Sequence, residues 1–365
     1  MARTHKTVVS QTVHYLSRPH ETICREPIKA AAAWKGPELA TKEGTWRSAL
    51  TPAEIDEVCG ALEVTKATGK PTSMLRATDF PLPTLSGRIA HWRRALTDGL
   101  GFHLISGLPV ERWSQQEIER VFWCFGLHLG LPGAQNKAGD LLGHVIDTGA
   151  DPGATDVRLY KTASRIAYHC DAADAVGLLC IRPAKEGGLS RLVSSVSVYN
   201  VLLERHPELV DGLYEPVLLD TRGEGGLNYF PVRPCRYAAG RLKTFYHCDY
   251  FRTAHRYEGA PVQSARAARL LDAYDQIASD PDLYLDMELR QGDIQLVSNH
   301  TILHARTDYV DHEDRAQRRH LLRLWLSLDK PSSWRLKALG AASGAALVAG
   351  IVKERVRQRR FKAPK

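Results

Sequence analysis

The sequence predicts an α+β fold whose core is a double-stranded β-helix, the cupin-like jelly roll, with inserted and flanking helices. Residues 166–198 and 216–256 alternate short apolar runs with Gly or Pro, a pattern typical of strands in an antiparallel sheet. Further strands are expected at residues 286–289, 294–297 and 320–328. Because only a few helical segments interrupt so many short strands, the pattern favours a jelly roll.

Helices are predicted from capping signatures and apolar periodicity. Thr51, Pro52 and Glu54 form the start of a helix that should run to about residue 62, with Thr51 as the cap. Ser114 and Glu117 give the same capping-box signature for another helix. Three more helical segments are expected at residues 84–100, 197–205 and 262–278.

Two segments lie ahead of the predicted core strands. Residues 101–105 form an apolar run that indicates a buried strand. Residues 131–162 are rich in Gly and form a long irregular connection. Such a connection is either a lid that covers a substrate or a passive loop, and the sequence leaves both interpretations open.

The composition is that of an ordinary globular protein, with 44% hydrophobic and 25% charged residues in 365. The seven cysteines contain no Cys-X-X-Cys pair, which argues against a disulfide framework or a structural zinc site. Residues 1–25 contain no apolar run of the kind found in a secretory signal. We therefore expect an intracellular, cytoplasmic protein.

The chain divides into three parts by composition. Residues 1–45 have few apolar positions and are expected to form an extended or poorly ordered N-terminal arm, residues 46–329 the folded domain, and residues 330–365 a basic tail. Ten Lys or Arg against the single acid Glu354 give the tail a net charge of +9, so the +8 of the whole chain leaves −1 for residues 1–329. The domain therefore gives no reason to expect nucleic-acid binding.

The tail contains an uncharged run, residues 338–352, that is short of the ~18 residues needed to span a membrane. It predicts a helix packed on the domain or on a partner, or alternatively a weak contact with an anionic membrane surface. The oligomeric state is not determined by the sequence, although a homo-oligomer is compatible with it.

A potential metal site begins at His169. In a β-strand, residues two apart lie on the same face, so His169 and Asp171 can both point at one metal ion. A second imidazole, for which His304 is the candidate, would complete the facial triad that holds non-haem Fe(II) and leaves positions open for other ligands. An oxygenase that uses 2-oxoglutarate also needs a cation for the distant carboxylate, and Arg319 is the best candidate because a guanidinium binds carboxylates with two parallel hydrogen bonds.

Three alternatives accompany this assignment. Residues 246–249 repeat the Tyr-His-Cys-Asp tetrapeptide of residues 168–171 letter for letter, and we interpret His247 and Asp249 as strand residues that either line the pocket or are purely structural. The third ligand could be His300 instead of His304, four positions earlier. Arg318 could replace Arg319 if the strand register shifts by one residue.

Residues 97–328 resemble the TauD/TfdA-type Fe(II)- and 2-oxoglutarate-dependent dioxygenases. The resemblance is carried by the order and spacing of short segments, namely Tyr168-His169-Cys170-Asp171, Gly177-Leu178-Leu179-Cys180, Gly187-Gly188-Leu189-Ser190, and Gly292-Asp293 leading into His304 and Arg319. It implies a jelly-roll oxygenase that uses Fe(II), 2-oxoglutarate and O2, with His169, Asp171 and His304 as the metal ligands.

The resemblance also implies roles for other residues. Ser190 and Arg319 would bind 2-oxoglutarate, and Arg323 would meet the anionic end of a substrate, although a structural ion pair is an equally good interpretation of Arg323. Arg165 stands where relatives that bind taurine carry a polar amide, so it is a candidate substrate-binding residue and argues against taurine itself. Beyond the metal ligands, no separate catalytic residue is expected.

The carboxylate of Asp171 indicates the reaction type, because halogenating members of the wider group lack it. We therefore expect a small, anionic metabolite to be hydroxylated, with release of succinate and CO2, while desaturation and ring closure stay open. Two other classes remain as alternatives: a non-catalytic jelly-roll binding protein, and a zinc hydrolase that uses the same ligands.

Overall fold

The computed structural model describes residues 5–136, 138–151, 153, 157–223, 227–328 and 334–362. Within these ranges the helices are α1 (Val8–Leu16), α2 (Gly36–Ala40), α3 (Pro52–Ala67), α4 (Ser86–Thr97), α5 (Gln115–Leu129), α6 (Ser195–Arg205), α7 (Cys248–Thr253), α8 (Ala265–Ala278) and α9 (Trp334–Lys362).

The strands of the described residues are mostly short, as antiparallel folds with frequent turns require. They are β1 (Arg47–Ala49), β2 (Phe102–Ser106), β3 (Leu131–Gly133), β4 (Leu142–Val145), β5 (Ile166–His169), β6 (Ala175–Arg182), β7 (Glu186–Gly187), β8 (Ser190–Ser194), β9 (Val217–Asp220), β10 (Tyr229–Val232), β11 (Cys235–Ala238), β12 (Arg241–Thr244), β13 (Tyr284–Met287), β14 (Ile294–Ser298), β15 (Ile302–Arg306), β16 (Tyr309–Val310) and β17 (His320–Ser327).

Two sheets form the centre of the molecule. The larger has the order β1-β2-β14-β6-β17-β3, with β4 also paired to β17, and the smaller has the order β13-β8-β15-β5. Phe102, Val176 and Leu321 of the larger sheet share one hydrophobic cluster with Leu192 and Ile302 of the smaller sheet. The two sheets therefore pack face to face, and the space between them is available for a site.

Helices cover the outer face of the larger sheet. The α3, α4 and α5 helices contribute to a second hydrophobic cluster together with side chains from β6 and β17. The α5 helix begins with the predicted capping box, in which Ser114 Oγ accepts from the N–H of Glu117 and the Glu117 carboxylate accepts from the N–H of Ser114. Its apolar face, with Phe122 and Phe125, is buried, and each such side chain stabilises the fold by roughly 1.5–3 kcal/mol.

A third cluster covers the outer face of the smaller sheet. It joins Val193 and Leu303 of that sheet to α6, to α8 and to the hairpins β9–β10 and β11–β12. The expected strand is wrong for Asp249, which lies in the first turn of the short helix α7, whereas His247 precedes the helix in an extended conformation and forms an isolated β-bridge with His169. The other predicted helices and strands are present, with ends that differ by a few residues.

The expectation of an extended arm over residues 1–45 is wrong for residues 8–16 and 36–40, which form helices, whereas residues 18–35 contain no helix or strand. Residues 8–16 form α1, and its Tyr15 and Leu16 are buried in the third cluster. Two more of its buried side chains are polar and paired, since Gln11 accepts from Ser327 and His14 Nε2 lies 2.7 Å from Asp174. A count of apolar residues cannot detect a helix that docks through buried hydrogen bonds.

The C-terminal helix α9 packs against α1. A Cβ at Gly340 would lie 2.9 Å from the Ser17 carbonyl oxygen, and one at Gly344 would lie 2.6 Å from Ser17 Oγ, so these glycines allow the close approach. The predicted packing of a tail helix on the domain agrees with this arrangement. Among the helices described, none combines the length and the hydropathy needed to cross a membrane.

Candidate active site

Three potential metal ligands meet at the edge of the smaller sheet. His169 at the end of β5 lies directly opposite His304 on the antiparallel strand β15, and Asp171 follows two residues after His169. One ligand atom from each of the three lies within 4.8 Å of the others, and His304 Nε2 is 3.7 Å from Asp171 Oδ2. Within the described ranges, no other set of three His, Cys, Asp or Glu side chains has this geometry.

Hydrogen bonds orient these side chains. His169 Nδ1 lies 2.9 Å from the Ala167 carbonyl oxygen and therefore donates to it, which leaves Nε2 as the free ligand atom. The backbone N–H of Asp171 donates to Asn299 Oδ1 over 2.9 Å. Asp171 Oδ2 is buried without a hydrogen-bond partner among the described residues, as expected of an atom reserved for a metal ion.

The protonation states suit a metal site. Burial, reinforced by the neighbouring His169, lowers the pKa of His304 to about 3, so its imidazole is neutral at neutral pH. Burial opposes ionisation of Asp171, but the favourable charge interactions with Arg323, His304 and His169 together outweigh this effect and hold the pKa of the carboxyl below its usual value. Two imidazoles and one carboxylate are the donor set of a non-haem Fe(II) site, so these residues fit that ion.

The structure separates the alternatives that the sequence leaves open. His300 does not join the triad, because its Nε2 contacts Asp174 at 2.8 Å in a buried network. His247 and Asp249, from the second copy of the tetrapeptide, line the adjacent cavity, and the His247 ring centroid lies 5.1 Å from that of His169. The first copy therefore supplies two members of the triad, and the second supplies wall residues.

Arg319 lies buried beside the Gly-Gly segment. Its Nη1 has no hydrogen-bond partner among the described residues, which is a costly state for a buried guanidinium unless a ligand pairs with it. Gly188 has a φ of +67°, and a Cβ there would lie 3.3 Å from Arg319 Nε. Glycine at this position allows the positive φ of the turn and leaves room for the Arg319 side chain. Arg318, by contrast, is half-buried and donates to the His312 carbonyl oxygen.

Ser190 lies buried on β8 and donates to Gln295 Oε1 over 3.0 Å, across the space between the two sheets. Its register partner on β15 is Arg306, a residue that the sequence-based assignment missed. Arg306 Nε and Nη1 are buried without a partner in the described part of the chain. Its guanidinium lies over the ring of Tyr309, as does that of Arg319, at 4.7 Å and 5.1 Å from the centroid.

Burial, with a further contribution from Arg319, lowers the pKa of Arg306 to about 10. The two arginines thus create a concentration of positive charge that an anionic group would relieve. The sequence contained a signal for Arg306, because it stands two residues after His304 and therefore shares the inward face of β15.

A cavity of about 260 Å³ adjoins the triad, and His169, Asp171 and Arg323 line it. Arg323 Nε donates to Gln135 Oε1 over 2.7 Å, and its Nη1 lies 3.8 Å from Asp171 Oδ1. Arg323 therefore both pairs with the triad and faces the cavity.

The structure does not bring Arg165 to this cavity. Its side chain is exposed, whereas the next residue, Ile166, lines the cavity wall. Neighbouring residues of an extended segment point to opposite sides, so the proposed contact between Arg165 and substrate is wrong. Arg158 and Tyr160 line the wall instead. They belong to the connection expected to be irregular, which in fact contains β3 and β4, both paired with β17.

One protein family matches most of this chain. The family described as "Taurine catabolism dioxygenase TauD, TfdA family" matches residues 63–325. The chain belongs to this family. As a member, it is a 2-oxoglutarate-dependent non-haem iron dioxygenase, an oxidoreductase that uses Fe(II), 2-oxoglutarate and O2.

Similar proteins include an FR-33289 synthase from Streptomyces rubellomurinus (strain ATCC 31215), 30% identical over 313 residues, which are 84% of this chain and 92% of the relative. A taurine hydroxylase-like protein SAT17 from Stachybotrys chartarum (strain CBS 109288 / IBT 7711) is 27% identical over 83% of this chain and 80% of its own length.

Solved structures show the same fold. Asparagine oxygenase in complex with Fe(II), 2S,3S-3-hydroxyasparagine and succinate has a TM-score of 0.60 at 17% identity, covering 77% of this chain and 93% of its own. The non-heme iron oxygenase OrfP in complex with Fe and alpha-ketoglutaric acid has a TM-score of 0.58 at 18% identity, covering 78% and 94%.

Proposed function

We propose that this enzyme hydroxylates an unactivated C–H bond of a small, anionic metabolite and releases succinate and CO2. The observation that carries the proposal is the arrangement around the triad. Unpaired buried guanidinium nitrogens belong to Arg306 at the end of β15 and to Arg319 just ahead of β17, and a cavity lined by Arg323 lies beside the triad. Arg306 and Arg319 are thus available to the dianionic 2-oxoglutarate, and Arg323 is available to an anionic substrate.

In this proposal His169, Asp171 and His304 hold Fe(II). Bound Fe(II), together with 2-oxoglutarate and O2, supplies the oxidant for the C–H bond. The protein holds the reactants in place and excludes water. We also infer that the two face-to-face sheets form the double-stranded β-helix of this enzyme class and that the seven free cysteines reflect a reducing, cytoplasmic setting.

The other roles follow from charge and burial. Arg319 and Ser190 bind the distant carboxylate of 2-oxoglutarate, and Arg306 contributes a second positive charge to it. Arg323 orients the anionic group of the substrate, since it faces the cavity while its Nη1 lies close to Asp171. The hydrocarbon part of the substrate then lies against the remaining cavity wall, near the metal site.

An anaerobic titration of the apoprotein with Fe(II) and 2-oxoglutarate tests the proposal, because the chelate gives a visible charge-transfer band. The band should form in the wild type and disappear in His169→Ala and Asp171→Asn, whereas Asp249→Asn, the matching change in the second tetrapeptide, should keep it. On admitting O2, succinate should be released with Fe(II) and not with Zn(II). A band that survives His169→Ala would contradict the metal assignment.

A further inference from the structure

The wall of the substrate cavity is mostly apolar. Leu227, Phe230 and Phe245 line it and belong to one large hydrophobic cluster, against which Ile351 also packs. Trp325 lines the wall beside Arg323, with its ring centroid 5.3 Å from the guanidinium carbon. A small polar substrate would leave this apolar surface in contact with water, whereas an apolar substrate body would bury it.

Helices from the two ends of the described chain complete this wall. Val9 and Val13 of α1 and Ile351 of α9 line the cavity. The α1 helix is docked by Asp174, which accepts from His14 and pairs with Arg18, and α9 is docked by Gln358, whose Nε2 donates to the Tyr229 carbonyl oxygen over 2.8 Å. These side chains face the site although their helices lie outside residues 63–325, the part that matches the family.

The charges on the cavity wall favour an anion. Arg158, Arg323 and Arg355 line it together with Asp171, Asp220 and Asp249. Asp171 is assigned to the metal ion, and Asp220 is already satisfied, since it accepts from Thr253 and Tyr257 and lies 3.0 Å from Arg256. Two of the three wall carboxylates therefore already have partners, which leaves Asp249 as the remaining carboxylate beside the arginines of the wall.

We propose that the substrate is an amphiphile, namely a carboxylate or a comparable oxyanion that carries an extended apolar body, and not a free amino acid. The oxyanion binds Arg323, and the apolar body lies against Val13, Phe230 and Ile351. This inference rests on the proposed function, because it takes the triad as the iron site and Arg323 as the anion partner.

Matched probes test this substrate class. Butanoate, hexanoate and octanoate are added to the anaerobic holoenzyme with Fe(II) and 2-oxoglutarate, and binding is measured by the change in the charge-transfer band. The affinity should rise about fourfold for each added methylene, the gain expected from burying it. Hexanol, which lacks the anion, and norleucine, which adds an ammonium to hexanoate, should bind more weakly than hexanoate. Hexanesulfonate distinguishes a general oxyanion site, which accepts it, from a carboxylate-specific one.

Two adjacent positions on α9 provide a matched pair of variants. Ile351 lines the cavity, whereas Val352 is 56% exposed. Ile351→Trp fills part of the cavity and should weaken octanoate binding by tenfold or more while changing butanoate binding little. Val352→Trp places the same side chain at the surface and should leave both affinities unchanged.

The outcomes separate the two proposals. If the band forms but affinity does not rise with chain length, or if norleucine binds more tightly than hexanoate, the amphiphile inference is wrong and the proposed function stands. If Ile351→Trp and Val352→Trp act alike, the assignment of this wall to the substrate body is wrong. If the wild type gives no band at all, both proposals fail together, because the iron site they share is absent.

Discussion

Asn299 forms hydrogen bonds with the backbone of two aspartates, Asp171 and Asp174. Its Oδ1 accepts from the backbone N–H of Asp171 over 2.9 Å, and its own backbone N–H donates to the Asp174 carbonyl oxygen over 3.0 Å. The turn that carries Asp171 is thereby attached to the turn between β14 and β15. The position of Asp171 depends on a side chain that does not reach the metal site itself.

Replacing Asn299 with Ala should weaken Fe(II) binding by about 10- to 100-fold, because residues that orient a metal ligand typically contribute this much. Anaerobic Fe(II) titration measures the affinity. Asn299→Asp keeps an oxygen acceptor for the Asp171 N–H and should recover part of the loss. Unchanged affinity in Asn299→Ala, with only the stability reduced, would assign a purely structural role to Asn299.

Arg319→Ala should raise the KM for 2-oxoglutarate by about 10- to 150-fold, the range expected when a charged hydrogen bond worth about 1.5–3 kcal/mol is lost. Arg318→Ala removes the same charge from the neighbouring residue, whose side chain bonds the His312 carbonyl oxygen, and should change this KM little. Steady-state succinate release measures both. The opposite order of effects would mean that the 2-oxoglutarate cation is Arg318.

Gly188→Ala should also raise the KM for 2-oxoglutarate, because the added Cβ would lie 3.3 Å from Arg319 Nε. Gly240→Ala is the control, since Gly240 has a similar φ, +73° against +67°, with no atom within 4 Å of an added Cβ. Both variants should lose roughly 1 kcal/mol or more of stability through backbone strain. Equal KM values in the two variants would contradict the role of Gly188 in placing Arg319.

Asp174→Asn should lower the free energy of unfolding by about 3–5 kcal/mol, because it leaves the buried Arg18 without its counter-charge. Chemical denaturation measures the change. Asp286→Asn breaks the partly exposed pair with Arg191 and should cost about 1 kcal/mol or less. Similar losses in both variants would contradict the importance of the buried network.

Lowering the pH should destabilise the apoprotein at pH values that are still well above the ordinary pKa of carboxylates. Burial lowers the pKa of His103 to about 4, that of His300 to about 3 and that of His320 to about 4. An unfolded chain takes up protons at these histidines near pH ~6.5, whereas the folded chain does so only at the lower values, so stability is full above pH ~6.5 and falls as the pH decreases.

Each of these histidines contributes a slope of up to about 1.4 kcal/mol per pH unit. Denaturation curves between about pH 7 and about pH 5 measure the total slope. His103→Gln should make it shallower, and a slope that this variant leaves unchanged would show that His103 is protonated in the folded protein.

The capping boxes and the metal triad could be predicted because each depends on a short local spacing. The capping box at Ser114 and Glu117 involves one turn of helix, and His169 and Asp171 share a strand face by simple alternation. The pairing of His304 with His169 needed only one further element, an antiparallel neighbour strand. A contact that depends only on the residue repeat of one helix or one strand can be assigned from the sequence.

The missed features depend on contacts between distant segments. The α1 helix is held by a hydrogen bond between His14 and Asp174, which lies 160 residues further along the chain. No local apolar pattern predicts that hydrogen bond. Residues 246–249 repeat the sequence of residues 168–171, yet α7 begins at Cys248 whereas Tyr168 and His169 end the strand β5. Arg165 is the exception, because its placement follows a family pattern although local alternation with the cavity-lining Ile166 turns its side chain outward.

His304 and Arg306 share one face of β15, and this limits where the chain can gain or lose residues. His304 and Arg306 stand two residues apart on one strand, opposite Leu192 and Ser190. Deleting or inserting a single residue ahead of them would turn both side chains outward together, so the metal ion and the co-substrate would be lost in one event. Residues 312–317, between β16 and β17, are not bound by that alternation, and an insertion there leaves His169, His304 and Tyr309 in place. Insertions between residues 312 and 317 should therefore be far better tolerated than insertions within β15.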